Sequence, residues 1–158
     1  MAHPIYLTLT GKIQGLISAG CSSVDSIGNR YQAGHEDEIL VLNLNTGASR
    51  AQNATYKELI FTKPMDKAFP LLYSCVDNNE ILEATFKCYR TSQHGQLEVY
   101  ATYKLTGASL VSVDDVNANL VSESSEDPYQ VVRMRYQSIS REHLKASTST
   151  YSINSELI

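Results

Sequence analysis

The residues of this chain best suited to chemistry lie together in "SAGCSSVDSIGNRYQAGHEDEI", residues 18–39. Cys21, Ser23, Asp25 and His35 are the parts of a nucleophile and its base, while His35, Glu36, Asp37 and Glu38 are the imidazole and carboxylate donors a divalent metal takes. Nucleophilic catalysis also requires an oxyanion hole, usually at a strand-to-helix turn. "SAGCSS" has no GxSxG elbow and no helical pattern follows it, so the residues do not support a catalytic role. In an extended chain neighbouring side chains point to opposite sides, so only His35 with Asp37, or Glu36 with Glu38, would share an ion. His3 and His94 stand apart, and Glu142 with His143 sits near the C-terminus. The stretch reads instead as a polar connection punctuated by Gly20, Gly28 and Gly34, with "HEDE" leading into a strand near Ile39.

Other constellations are equally bland. Cys21, Cys75 and Cys88 are odd in number and lack CxxC spacing, as expected of small buried thiols in a reducing compartment. Arg133 and Arg135 share one side of a strand, where solvation is the default and pairing or a channel lining the alternative. Gly11 and Gly15 flank "KIQ" without a phosphate-loop lysine and helix. The ten tyrosines are dispersed, not interleaved with basic residues. The 13 basic and 17 acidic residues leave a net charge of -4 without a basic stripe, which argues against a nucleic-acid or anionic-membrane partner.

The elements that must carry these residues are mostly strands. "PIYLTLTG" alternates, with Ile5, Leu7 and Leu9 on one face. "EILVLNL" reads as a strand buried on both sides. "KELIFTK", "EATFKCYR", "QLEVYATYKL", "ASLVSVDDV", "YQVVRMRYQSIS" and the polar "TSTYSINS" add further strands, and "SQHG" supplies a hairpin turn between two of them. One helix is expected in "MDKAFPLLYSCVDNNE". Phe69, Leu72, Tyr73 and Val76 would form its apolar stripe, with Asp66 as N-cap, Asn78 or Asn79 as stop, and Pro70 straining the first turn. "NTGASRAQNATY", residues 45–56, lacks periodicity and reads as a long loop with a task. The fold class is therefore mainly β: a compact barrel or sandwich of about eight antiparallel strands with one side helix and an extended loop. At 158 residues the chain is the size of one domain. It lacks an apolar run long enough to span a membrane, and its N-terminus lacks the pattern of a cleaved signal peptide.

The whole chain resembles the haemolysin-coregulated protein (Hcp) family, the tube protein of the bacterial type VI secretion system. The resemblance rests on "IQG", "DSIGN" and "GHEDEI" within the opening 36 residues that follow His3, on "FTKPMDKAFPLLYSC" as strand then helix, and on the strand-rich half ending in "YQVVRMRYQSI". It implies a barrel of two β-sheets with a side helix and an extended loop. It further implies a homo-hexamer whose rings stack into a tube, within a contractile sheath and beneath a spike protein, carrying small secreted effectors in the lumen. A structural role without catalysis, metal or cofactor follows from the same resemblance. So do assembly in the bacterial cytoplasm, export without a cleaved signal and no membrane insertion. The chain is expected to be a single tube domain over residues 1–158 without a C-terminal toxin extension. Subunit and stacking contacts are expected from Asn45, Thr46, Ala48, Ser49, Arg50, Gln52, Asn53 and Thr55, joined by Asp25, Asn29 and Arg30. The other readings the residues leave open are a stand-alone β-barrel that binds a small ligand or glycan, and a metal-assisted hydrolase using His35 with Glu36 or Asp37.

Overall fold

Alternating burial sets the architecture. The computed structural model describes residues 3–117 and 127–154. In chain order its first elements are β1 (Ile5–Gly11), β2 (Gly15–Leu16), a four-residue helix α1 (Val24–Ile27) running into a 3-10 turn, β3 (Ile39–Val41) and β4 (Asn43–Asn45). Then come β5 (Ala48–Arg50), β6 (Ala54–Tyr56), β7 (Leu59–Pro64), helix α2 (Phe69–Asn78) and β8 (Leu82–Thr91). The remainder is β9 (Leu97–Val116), β10 (Tyr129–Arg135), β11 (Ser138–His143) and β12 (Thr148–Ile153). Leu7 and Leu9 of β1 are fully buried, as their spacing predicts, and Tyr6 from the other face is buried too.

All pairings are antiparallel. In the first sheet β1 lies between β8 on one side and β2 and β3 on the other, and β8 continues through the first half of β9 to β11 and β12. In the second, the last part of β9 pairs with β10, then β7, then β4. The sheets are thus joined through β9 at one side. At the other they are joined by Ile39–Asn45, whose first residues pair with β1 and last with β7. The ladder is not a regularly closed barrel, because this segment breaks at Leu42, which is 45% exposed. That corrects the expectation of one strand buried on both sides.

Two other boundaries differ from the sequence reading. "QLEVYATYKL" and "ASLVSVDDV" are one strand of 20 residues, bent where Gly107 takes φ +62°. A Cβ there would lie 2.6 Å from the Gln137 Oε1, so the position suits glycine on both counts. "YQVVRMRYQSIS" is instead two strands, β10 in the second sheet and β11 in the first, and Val132, Met134 and Tyr136 are all buried along it. The "SQHG" turn is a hairpin as expected, with the Ser92 N–H bonded to the Gln96 carbonyl at 2.7 Å and Gly95 at φ +82°.

Leu7, Leu9, Leu59, Phe61, Phe86, Leu105, Val132 and Met134 fill the space between the sheets, with Phe61 and Phe86 edge to face at 5.4 Å. Each fully buried side chain of this size stabilises the fold by roughly 1.5–3 kcal/mol. Helix α2 covers the core with Leu72 and Cys75, which are fully buried. Of the expected stripe only Leu72 does so, while Phe69, Tyr73 and Val76 are 37–39% exposed. Asp66 is not the N-cap either. Ala68 holds that position, and Asp66 Oδ1 accepts the Ala68 N–H at 3.0 Å from two residues before it. Pro70 falls at the second helical position, where an N–H has no intrahelical partner, so it imposes no strain. Asn79 ends the helix in the left-handed conformation, φ 45°.

Candidate functional site: exposed contact surfaces

The polar opening connection spends its reactive groups on holding itself in place. Contrary to the sequence reading, a short helix does follow "SAGCSS". It does not create a nucleophile. Cys21 is fully buried with its Sγ 3.4 Å from the Ile17 carbonyl, and burial, reinforced by the Asp66 carboxylate, pushes its thiol up to about 12. Ser22 donates to the Glu38 carbonyl, Ser23 to that of Gly20 and Ser26 to that of Cys21. These hydroxyls therefore replace the backbone partners that an irregular segment lacks.

His35 and the acidic residues after it are likewise committed. His35 stacks on Tyr6 with centroids 4.0 Å apart and planes 3° from parallel, meets Tyr89 edge-on at 5.3 Å, and holds Glu38 Oε1 at 3.0 Å through Nδ1. Asp37 accepts the Gly20 N–H at 3.0 Å. Glu36 accepts from the Gly34 N–H and the Tyr31 hydroxyl, and the backbone N–H bonds above all hold its carboxyl below the usual range. Among the described residues no three His, Cys, Asp or Glu side chains converge as a metal would need. Arg133 and Arg135 are exposed on the face of β10 opposite Val132 and Met134.

Residues 45–56 are not an aperiodic loop but a projecting hairpin. Ala48 pairs with Tyr56, Ser49 with Thr55 and Arg50 with Ala54, and this two-stranded sheet pairs with no other described strand. Ala48, Ser49, Arg50, Gln52, Asn53 and Thr55 are all exposed. The base of the hairpin is fixed: the Lys57 N–H bonds to the Gly47 carbonyl at 2.9 Å, the Tyr136 hydroxyl to the Lys57 carbonyl at 3.1 Å, and Arg141 Nη2 to Thr46 Oγ1 at 3.3 Å. Asn45 donates to the Asn43 side chain at 3.2 Å. An isolated two-stranded ribbon is marginal in water and offers unpaired backbone on both edges.

Asp25, Asn29 and Arg30 lie elsewhere. Asp25 lines a polar notch of about 580 Å³ with Ser23, Ser26 and Lys67, and Arg30 pairs with Asp127 at 2.9 Å. No contact given by the structure links them to the hairpin, which instead forms a cleft with Ile153. The sequence reading missed two apolar surfaces: the Phe69, Tyr73 and Val76 face of α2, and Ile13, 73% exposed, near Leu16 and Ile81. The signal was present in α2, which has apolar residues on more than the single face a one-sided helix needs.

Residues 6–143 match the family model described as "Type VI secretion system effector, Hcp". The chain belongs to the Hcp family. It is 38% identical over 130 residues to the "Major exported protein" of Pseudomonas aeruginosa, 75% of each chain. It is 37% identical over 149 residues to the Escherichia coli K12 protein YhhZ, covering 94% of this chain but 37% of that one. The chain thus spans well under half the length of YhhZ. The crystal structure of an Hcp protein superposes with a TM-score of 0.91 at 31% identity, covering 97% of this chain and 98% of the other. Secreted Hcp3 from Pseudomonas aeruginosa superposes at 0.87 with 34% identity, covering 96% and 98%. The Hcp fold, two antiparallel sheets with a side helix, is the tube-protein fold of type VI secretion.

Proposed function

We propose that this Hcp chain is a structural subunit that forms hexameric rings, and that the rings stack into the inner tube of a type VI secretion system. The tube is built in the bacterial cytoplasm inside a contractile sheath, carries a spike protein at its tip and holds small effectors in its lumen. The observation that supports this best is the hairpin of Ala48–Arg50 and Ala54–Tyr56. It is hydrogen-bonded at its base, exposed along Ser49–Thr55, and left with open strand edges that another copy can cover. A contact repeated head to tail around an axis closes into a ring when the rotation permits. Phe69, Tyr73 and Val76 supply the apolar part such an interface needs, and Asp25, Asn29 and Arg30 add polar contacts away from the hairpin. The alternative of a ligand-binding barrel meets a filled interior, since Leu7, Phe61, Phe86 and Leu105 occupy it.

Native mass spectrometry and negative-stain imaging test the reading. A hexameric ring with a central hole is expected, and shortening Gln52–Asn53 at the hairpin tip should disrupt stacking or closure while leaving the thermal unfolding of the subunit within a few degrees. A protein that stays monomeric at high concentration overturns it.

A further inference from the structure

The inner face of the first sheet does not end where the core ends. Leu105 and Ile139 are cross-strand neighbours and fully buried. Two residues further along the same face Tyr103 stands opposite Arg141, which stands opposite Thr150, and two further still Ala101, His143 and Thr148 form the next row. These rows, together with Thr102, Glu142 and Ser149, line a cleft of about 360 Å³.

Arg141 is half-buried there, and the partners that hold it are neutral hydroxyls. Its Nη2 donates to Thr46 at 3.3 Å, and its charge also acts on the phenols of Tyr103 and Tyr136, where it opposes the upward push of burial. No carboxylate lies within ion-pair distance of it among the described residues. Glu142 also lines the cleft, and by alternation its exposed side chain belongs to the opposite face of β11. His143 accepts the Ala146 N–H on Nδ1 at 3.0 Å, which leaves Nε2 as the donor of the ring. Thr148 and Thr150 bring hydroxyls to the same wall.

A guanidinium withdrawn from water without an anionic partner is costly, and its planar donors match a carboxylate or phosphate in paired geometry. We propose that this cleft binds a small oxyanion, a phosphate or a carboxylate, on Arg141 with Thr150 and His143 as supporting donors. The site does not depend on the assembly reading. Because Arg141 also holds Thr46, two residues before the first strand of the hairpin, an anion that draws the guanidinium inward loosens the hairpin base.

Calorimetric titration of the purified protein with inorganic phosphate, and separately with acetate, tests this. Saturable binding of one anion per chain is expected with at least one of the two. Arg141→Gln should abolish it, and Arg141→Lys, which keeps the charge but not the planar fork, should weaken it about tenfold. Arg141→Gln also releases Thr46, so Thr150→Val, which leaves that bond intact, serves as the second variant and should weaken binding with unchanged circular dichroism. Absence of saturable binding to either anion, or binding that survives both Arg141→Gln and Thr150→Val, overturns the proposal.

Discussion

The Nζ of Lys63 lies 2.8 Å from Asp66 Oδ1, and neither side chain reaches solvent. The same ammonium donates to Gln130 Oε1 at 2.6 Å and to the Pro64 carbonyl at 3.1 Å, while Gln130 Nε2 reaches Asp115 at 2.9 Å. A charge so placed cannot lose its partner cheaply. Lys63→Met should cost about 3–5 kcal/mol because it strands the carboxylate, whereas Lys63→Met with Asp66→Leu should recover much of that loss. Urea midpoints of the three proteins decide it, and a loss below about 1 kcal/mol in the single variant contradicts the argument.

The pH dependence of this pair has a definite sign. Burial raises the Asp66 carboxyl above its usual range despite the opposing pull of Lys63. The folded state then holds the proton more tightly than the unfolded chain does. Asp66 therefore favours folding below the ordinary aspartate range, and that contribution disappears as pH rises through the raised value. Unfolding free energy of wild type minus Asp66→Asn, followed upward from pH 3, should fall and then level off.

Glu80 works in the opposite direction. Its side chain lies under the β1–β2 turn, with Oε2 accepting the Ile13 and Gln14 N–H groups at 3.0 and 2.8 Å and Oε1 accepting from Gln14 Nε2 at 3.0 Å. Burial pushes its carboxyl up, but these bonds together outweigh it and hold the group below the usual range. Its contribution is present above the ordinary glutamate range and lost as pH falls through the lowered value. Glu80→Gln should cost about 1–3 kcal/mol at neutral pH and converge on wild type in acid.

The exposed face of α2 offers a test that separates the proposed assembly from folding. Val76→Lys changes a residue that is 39% exposed, so the melting temperature should move little. If that face meets a neighbour, the hexamer should be lost in sedimentation. An intact hexamer would remove α2 from the interface.

Gly107 carries a conformational requirement testable on its own. Gly107→Ala forces a side chain into positive φ and against Gln137, and should cost about 1–2 kcal/mol. An unchanged urea midpoint would show that β9 can bend without it.

The thiols should be silent in the native state. Burial raises Cys21 to about 12 and Cys75 to about 11, and raises Cys88 as well. Thiolate is the reactive form, so a disulfide reagent at pH 8 should label none of the three until denaturant is added. Labelling at the rate of an exposed thiol would refute the buried placement.

What could be read in the sequence was the alternation of residues that the core buries. Leu7 with Leu9, Phe86 with Cys88 and Val132 with Met134 declare their strands because one face of each is apolar. Junctions are less legible, since Leu42 and Gly107 decide where a strand breaks or bends through tertiary pairing that no local pattern records. The hairpin of residues 48–56 escaped notice for a related reason. It buries almost nothing, so its pairing leaves no period-two hydrophobic trace. In α2 the periodicity found a helix, but Phe69, Leu72, Tyr73 and Val76 could not tell which apolar side faces inward. The opening connection was legible only as polar, and the hydrogen bonds by which Ser22, Ser26 and Asp37 hold backbone groups emerged from the fold.

The shared strand β9 also governs how the molecule comes apart. Residues 101–106 hold β11 and residues 109–116 hold β10 on the same continuous backbone, so neither sheet can detach without pulling on the other. Amides in both halves should exchange their hydrogens through a single large opening rather than two smaller ones. In the ring proposed above, each subunit would therefore take up an axial load as one unit, both sheets together.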